Sequence, residues 1–133
     1  MEKLTLLLVI ALLTLSPLVI AGDGLKMQIN NPVNGSVVTE DRVLLDVSTN
    51  ANAICMYSFG KCFQLQYGGG CSGSRYYKMS VTGKTHHLQL IEKLEETINN
   101  QVRQEYYFLD VKCIDKLSGN QARARTEFTV DFP

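Results

Sequence analysis

The absences in this sequence narrow its chemistry before any motif does. Lys and Arg number 13 and so do Asp and Glu, so the formal net charge is zero. No Lys/Arg block is present. Nucleic-acid binding draws on a basic face that displaces counterions from phosphates, and that class is not expected here. The nearest approach is Arg123 and Arg125, alternating on one strand-like segment, which reads as a solvated strand face. No close C-x-x-C pair occurs, which disfavours zinc. Neither a serine-nucleophile elbow nor an H-E-x-x-H motif appears. Gly83-Lys84-Thr85 ends like a phosphate-binding loop, but Lys78 stands where an earlier glycine is required and the flanks are strand-like. No cofactor and no metal are expected.

What is present is an ordinary globular composition, 45% hydrophobic and 20% charged over 133 residues, which favours a single domain. The first residues stand apart. Met1 to Lys3 precede an apolar run from Leu4 to Ala21, interrupted mainly by Thr14, Ser16 and Pro17. Val19 and Ala21 suit the −3 and −1 positions of a signal-peptidase site, and Pro17 breaks the helix before it. Residues 1–21 are therefore expected to be a signal peptide, with an uncleaved anchor as the alternative. Such a run is near the lower limit of about 17 residues for a spanning helix. Either way, residues 25–133 are expected outside the membrane, secreted or at the cell surface.

All four cysteines, Cys55, Cys62, Cys71 and Cys113, follow this segment. An even count in an exported chain reads as a disulfide framework, although four cysteines allow three connectivities. Cys55 begins the third strand-like segment and Cys113 ends the sixth. In an antiparallel pair the start of one strand faces the end of the other, so these two can lie opposite each other. That would leave Cys62 and Cys71 to close a short loop.

Along the mature chain the apolar period is mostly two, which marks half-buried strands. Leu25, Met27 and Ile29 form one face; Val43, Leu45, Val47 and Thr49 the next; then Cys55, Tyr57 and Phe59. Arg75 to Val81 reads as a short strand with Tyr77 and Met79 on one face. His86, Leu88 and Leu90 form another face, followed by Tyr107, Leu109, Val111 and Cys113, and finally Phe128, Val130 and Phe132. Asn31-Pro32-Val33-Asn34-Gly35 and Asp115 to Asn120 are turns. Ile91 to Gln104 breaks the pattern. Leu94, Ile98 and Val102 recur every four residues, which predicts a short amphipathic helix or irregular crossover before the sixth strand. About seven short strands predict an all-β, antiparallel, immunoglobulin-like sandwich.

Three stretches carry a resemblance. They are Thr49-Asn50-Ala51-Asn52-Ala53-Ile54-Cys55-Met56-Tyr57-Ser58, then Thr82 to Leu90 with His86, then Tyr106 to Asp115 with Cys113, closed by Gly119-Asn120. Together they resemble the immunoglobulin-like and fibronectin-type-III-like modules of archaeal and some bacterial cell-surface proteins. The resemblance implies a bridge between Cys55 and Cys113. It also implies a spacer, adhesin or assembly part rather than a defined ligand. The Cys62–Cys71 insert and the long segment before Tyr106 depart from that pattern.

The leading contact candidate is the loop region 60–77, where Phe63, Tyr67, Arg75 and Tyr76 offer aromatic and cationic groups of the kind that dominate interfaces. His86 and His87 are strand neighbours and point to opposite faces, so they do not chelate together; His86 reads as structural. Asp115 and Asn120 supply too few oxygens for calcium and suit a turn instead. Asn34-Gly35-Ser36 is an N-glycosylation sequon. The expected function is a non-enzymatic extracellular recognition or structural module. Its partner would be an extracellular protein, a glycan or copies of itself, with membrane contact only through the N-terminal segment. The alternatives are a filament or surface-layer subunit assembled by strand addition, and a small secreted hydrolase without a recognisable motif.

Overall fold

The structure, a computed structural model, describes residues 24–62, 75–94 and 105–132. The chain is all-β, with no helix among the described residues. Eight strands follow in order: β1 (Met27–Asn31), β2 (Ser36–Val38), β3 (Val43–Thr49), β4 (Ala53–Cys62), β5 (Tyr77–Lys78), β6 (His86–Ile91), β7 (Glu105–Asp115) and β8 (Gln121–Val130). They form two open sheets. One has the order β1-β3-β6 and the other β2-β8-β7-β4-β5. Every pairing is antiparallel except that of β2 with β8.

The period-two pattern works because alternate side chains of a strand point to one face. Val43, Leu45 and Val47 turn inward from the first sheet, and Tyr107, Leu109, Val111, Phe128 and Val130 from the second. Both sets belong to one buried cluster, so the two sheets share a core. Each large apolar side chain buried there contributes roughly 1.5–3 kcal/mol before entropy is counted. The rings of Phe59 and Tyr107 stack at 5.1 Å, and those of Tyr107 and Phe128 at 5.7 Å.

Cys55 on β4 lies directly opposite Cys113 on β7, and the two form a disulfide between fully buried residues. The bridge therefore joins neighbouring strands of one sheet. Cys62 is buried and disulfide-bonded as well; its expected partner, Cys71, lies outside the described residues. The predicted turns form. Asp115 Oδ1 accepts from the N–H groups of Leu117 (2.8 Å) and Ser118 (3.1 Å). Gly119 takes φ 75°, a left-handed conformation that suits glycine.

Four expectations need correction. Among the described residues there are eight strands rather than about seven, because β2 has three residues and shows no period by itself. Tyr77 and Met79 do not share a buried face: Met79 is buried, whereas Tyr77 is exposed and packs against the Tyr57 ring at 6.0 Å. The inward face of β6 carries His87 and Ile91, not His86, Leu88 and Leu90; a shift of one residue exchanges the two faces. Ile91 belongs to β6, opposite Val43, and Glu92 to Leu94 are not helical, with Lys93 at φ 59°. Leu94 reaches the core from this irregular turn, its N–H donating to the Asp41 carbonyl (2.8 Å). Residues 95–104 of the expected helix lie outside the described residues.

Candidate interaction face

The second sheet presents an outer face on which the register sets β7 and β8 side chains in rungs. Lys112 stands beside Arg123, Asp110 beside Arg125, and Phe108 beside Glu127. The alternation that put Arg123 and Arg125 on one face in the sequence holds. Arg125 is locally balanced, with Nε 3.2 Å from Glu127 and Nη1 3.6 Å from Asp110. Its guanidinium lies 4.6 Å from the centre of the Phe108 ring, which is 2% exposed despite being on the outer face. Exposed pairs of this kind contribute on the order of 0–1 kcal/mol each.

Tyr76 joins this face from the segment that leads into β5. Its hydroxyl accepts a hydrogen bond from Arg123 Nη2 at 2.7 Å. The Lys112 ammonium sits 5.1 Å from the ring centre and the Arg123 guanidinium 5.8 Å, both within cation–π range. The Tyr76 hydrogen bond is also what holds the Arg123 guanidinium above its ordinary pKa. Of the predicted contact residues, Tyr76 is thus half-buried and anchored, and Arg75 is exposed beside it. Phe63 and Tyr67 lie outside the described residues. Lys112 and Arg123 were missed as partners of Tyr76, since no spacing in the chain signals a meeting of residues so far apart. Asn34, the sequon residue, is exposed on its turn, its Oδ1 accepting from the Glu127 N–H (2.9 Å).

The two histidines diverge. His86, expected to be structural, is exposed on the outer face of the first sheet, its Nε2 2.7 Å from Asp46 Oδ1. Burial would raise the Asp46 carboxyl, but bonds from Asn30 and His86 together with the His86 charge outweigh it and hold the pKa below the ordinary value. Ser48 stands opposite His86, so serine, histidine and aspartate meet here. Their wiring is not that of a nucleophilic triad. Asn30 Nδ2 donates to both Ser48 Oγ (2.7 Å) and Asp46 Oδ1 (3.1 Å), and among the described residues the imidazole of His86 bonds the aspartate and not the serine.

His87 is the buried histidine, with no exposed surface. The Thr49 hydroxyl donates to the Ala51 carbonyl (2.8 Å), so it accepts from His87 Nε2–H (2.9 Å). Nδ1 is then the acceptor for the Thr82 hydroxyl (2.7 Å), whose oxygen also accepts from the Cys55 N–H (2.9 Å). A neutral ring therefore ties β3 and β6 of the first sheet to β4 of the second. Burial, reinforced by the neighbouring His86 charge, pushes its pKa below the ordinary value.

No group of three or more metal-ligating side chains occurs among the described residues, and they contain no helix long and apolar enough to cross a membrane. The buried Cys55–Cys113 bridge fits an oxidising compartment. No family model matches the chain. None of the curated proteins matches it significantly. Among solved structures it is similar to the crystal structure of an engineered protein, with a TM-score of 0.51 and 10% identity over 81% of this chain and 20% of that one. The chain spans about a fifth of that protein's length, and a likeness at this identity carries the fold alone.

Proposed function

We propose that the chain is a non-enzymatic extracellular recognition or structural module with an immunoglobulin-like sandwich fold. Support for this fold reading comes from the two antiparallel-rich sheets, of order β1-β3-β6 and β2-β8-β7-β4-β5, packed over one core. The chain has no tryptophan, unlike antibody domains, and its Cys55–Cys113 bridge lies within one sheet rather than between the two. The observation that carries the functional reading is Tyr76, fixed by Arg123 and flanked by Lys112 on a strand scaffold. An aromatic ring and two cations held in place before binding lose little side-chain entropy on contact with a protein or an acidic glycan. The test is capture of extracellular surface material by the purified chain and by the Tyr76→Ala/Arg123→Ala variant. Retained capture with both residues removed refutes this face.

A second reading, a filament or surface-layer subunit, is supported by β1 being an edge strand among the described residues, where β3 alone pairs with it. An added strand from another copy would satisfy those backbone groups. A chain that stays monomeric by size-exclusion chromatography at high concentration, with no polymer by electron microscopy, refutes it.

A further inference from the structure

The formal charge of the chain is zero, but the fold does not spread its charges evenly. One short turn, Asn50 to Ala53, organises an entire end of the molecule. Lys26 exchanges hydrogen bonds with Asn50, Lys84 accepts through its carbonyl from the Ala53 N–H (3.1 Å), and the Lys116 N–H donates to the Asn52 carbonyl (3.0 Å). Three exposed lysines from three separate connections are thereby gathered around one turn. Among the described residues the acid beside them is Asp115, whose carboxylate is engaged by the Leu117 and Ser118 N–H groups, which hold its pKa below the ordinary value. The opposite end carries Glu40, Asp41, Glu92, Glu105 and Asp131, offset in part by Arg42, Lys61 and Lys93.

Two further observations belong to the lysine end. Leu117 projects from the Asp115 turn with 98% of its surface exposed. The turn holds it there, through the two bonds to Asp115 and through the Gly119 N–H to the Asp115 carbonyl. Gly24, the first described residue, accepts from Asn50 Nδ2 (3.3 Å). The described chain therefore begins at this same end.

From this arrangement we propose that the lysine end rests on an anionic lipid surface. Leu117 enters the boundary between headgroups and acyl chains, and Lys84 and Lys116 meet the headgroups. A single leucine on a protruding turn, at an end that also carries three exposed lysines, suits a fluid anionic surface better than a packed protein interface, which needs a broad complementary patch. Each ammonium near such a surface strengthens binding about fivefold. The acidic far end makes the opposite orientation unfavourable.

The chain contains no tryptophan, so Leu117→Trp in the full chain reports on this turn alone. With phosphatidylglycerol vesicles its emission shifts to the blue, and brominated lipid quenches it at least about twofold more than in phosphatidylcholine vesicles. Lys84→Glu with Lys116→Glu in the same background removes the difference. Val33→Trp, beyond the far end of β1, stays unquenched. An unshifted Leu117→Trp on vesicle-bound chain, or equal quenching in the two lipids, overturns the proposal. A shift with soluble polyglutamate but not with vesicles also overturns it, in favour of an acidic polypeptide.

Discussion

His87 shows how much one residue can link. Its ring is neutral, fully buried and bonded at both nitrogens, so a proton added there places a charge inside the core. The unfolded chain takes up that proton near the ordinary value of 6.5, whereas the folded chain resists it. Below that pH the unfolded state binds more protons, and stability falls as pH falls. Asp46 and Asp115 act lower on the scale. Their folded pKa values lie below the ordinary 3.8, so their contribution is present above it and is lost as pH drops further. Urea midpoints measured against pH are expected to hold steady above about pH 7 and to decline in two stages, the first beginning near 6.5 and the second below 3.8. His87→Gln removes the first stage and leaves the second.

At the scale of elements, β4 and β7 form the spine of the second sheet, paired from Ala53 opposite Asp115 to Cys62 opposite Tyr106. The Cys55–Cys113 bridge closes a loop with a sequence separation of 58. By the chain-entropy argument, Cys55→Ala with Cys113→Ala costs roughly 4 kcal/mol, measurable by guanidinium unfolding. The strands themselves were legible in the sequence wherever five or more residues alternated, as in β3. The face of β6 was not. His86, Leu88 and Leu90 form as good an alternating set as His87, Gln89 and Ile91, and only pairing with β3 sets Val47 against His87. The four-residue period of Leu94 likewise predicted a helix, but Leu94 is buried from an irregular turn. Local periodicity reports which residues prefer burial, not which backbone carries them there.

For the molecule as a whole, the shared core means that neither sheet holds its inner face apart from the other. Leu45→Ala, at a fully buried site of the first sheet, is expected to cost about 2–5 kcal/mol. The loss should appear equally as reduced hydrogen-exchange protection in β7 of the second sheet, in a single unfolding transition. Protection lost only in β1, β3 and β6 would show two separately stable layers. The candidate interaction face is also a property of the whole fold. Tyr76 lies far from Lys112 and Arg123 along the chain, and β7 and β8 must pair before the two cations become neighbours.

The sequence by itself determined the all-β class, most of the strands and the turns at Gly35 and Asp115, and it allowed Cys55 and Cys113 to face each other. Each of these rests on short-range rules: alternation, turn chemistry, and the antiparallel meeting of one strand's start with another's end. Only the tertiary structure decided which histidine is buried, which residues surround Tyr76, and that three scattered lysines converge on the Asn50–Ala53 turn beside an exposed leucine. Those outcomes depend on strand register and on connections meeting at one end of the sheets, and neither leaves a local trace in the chain.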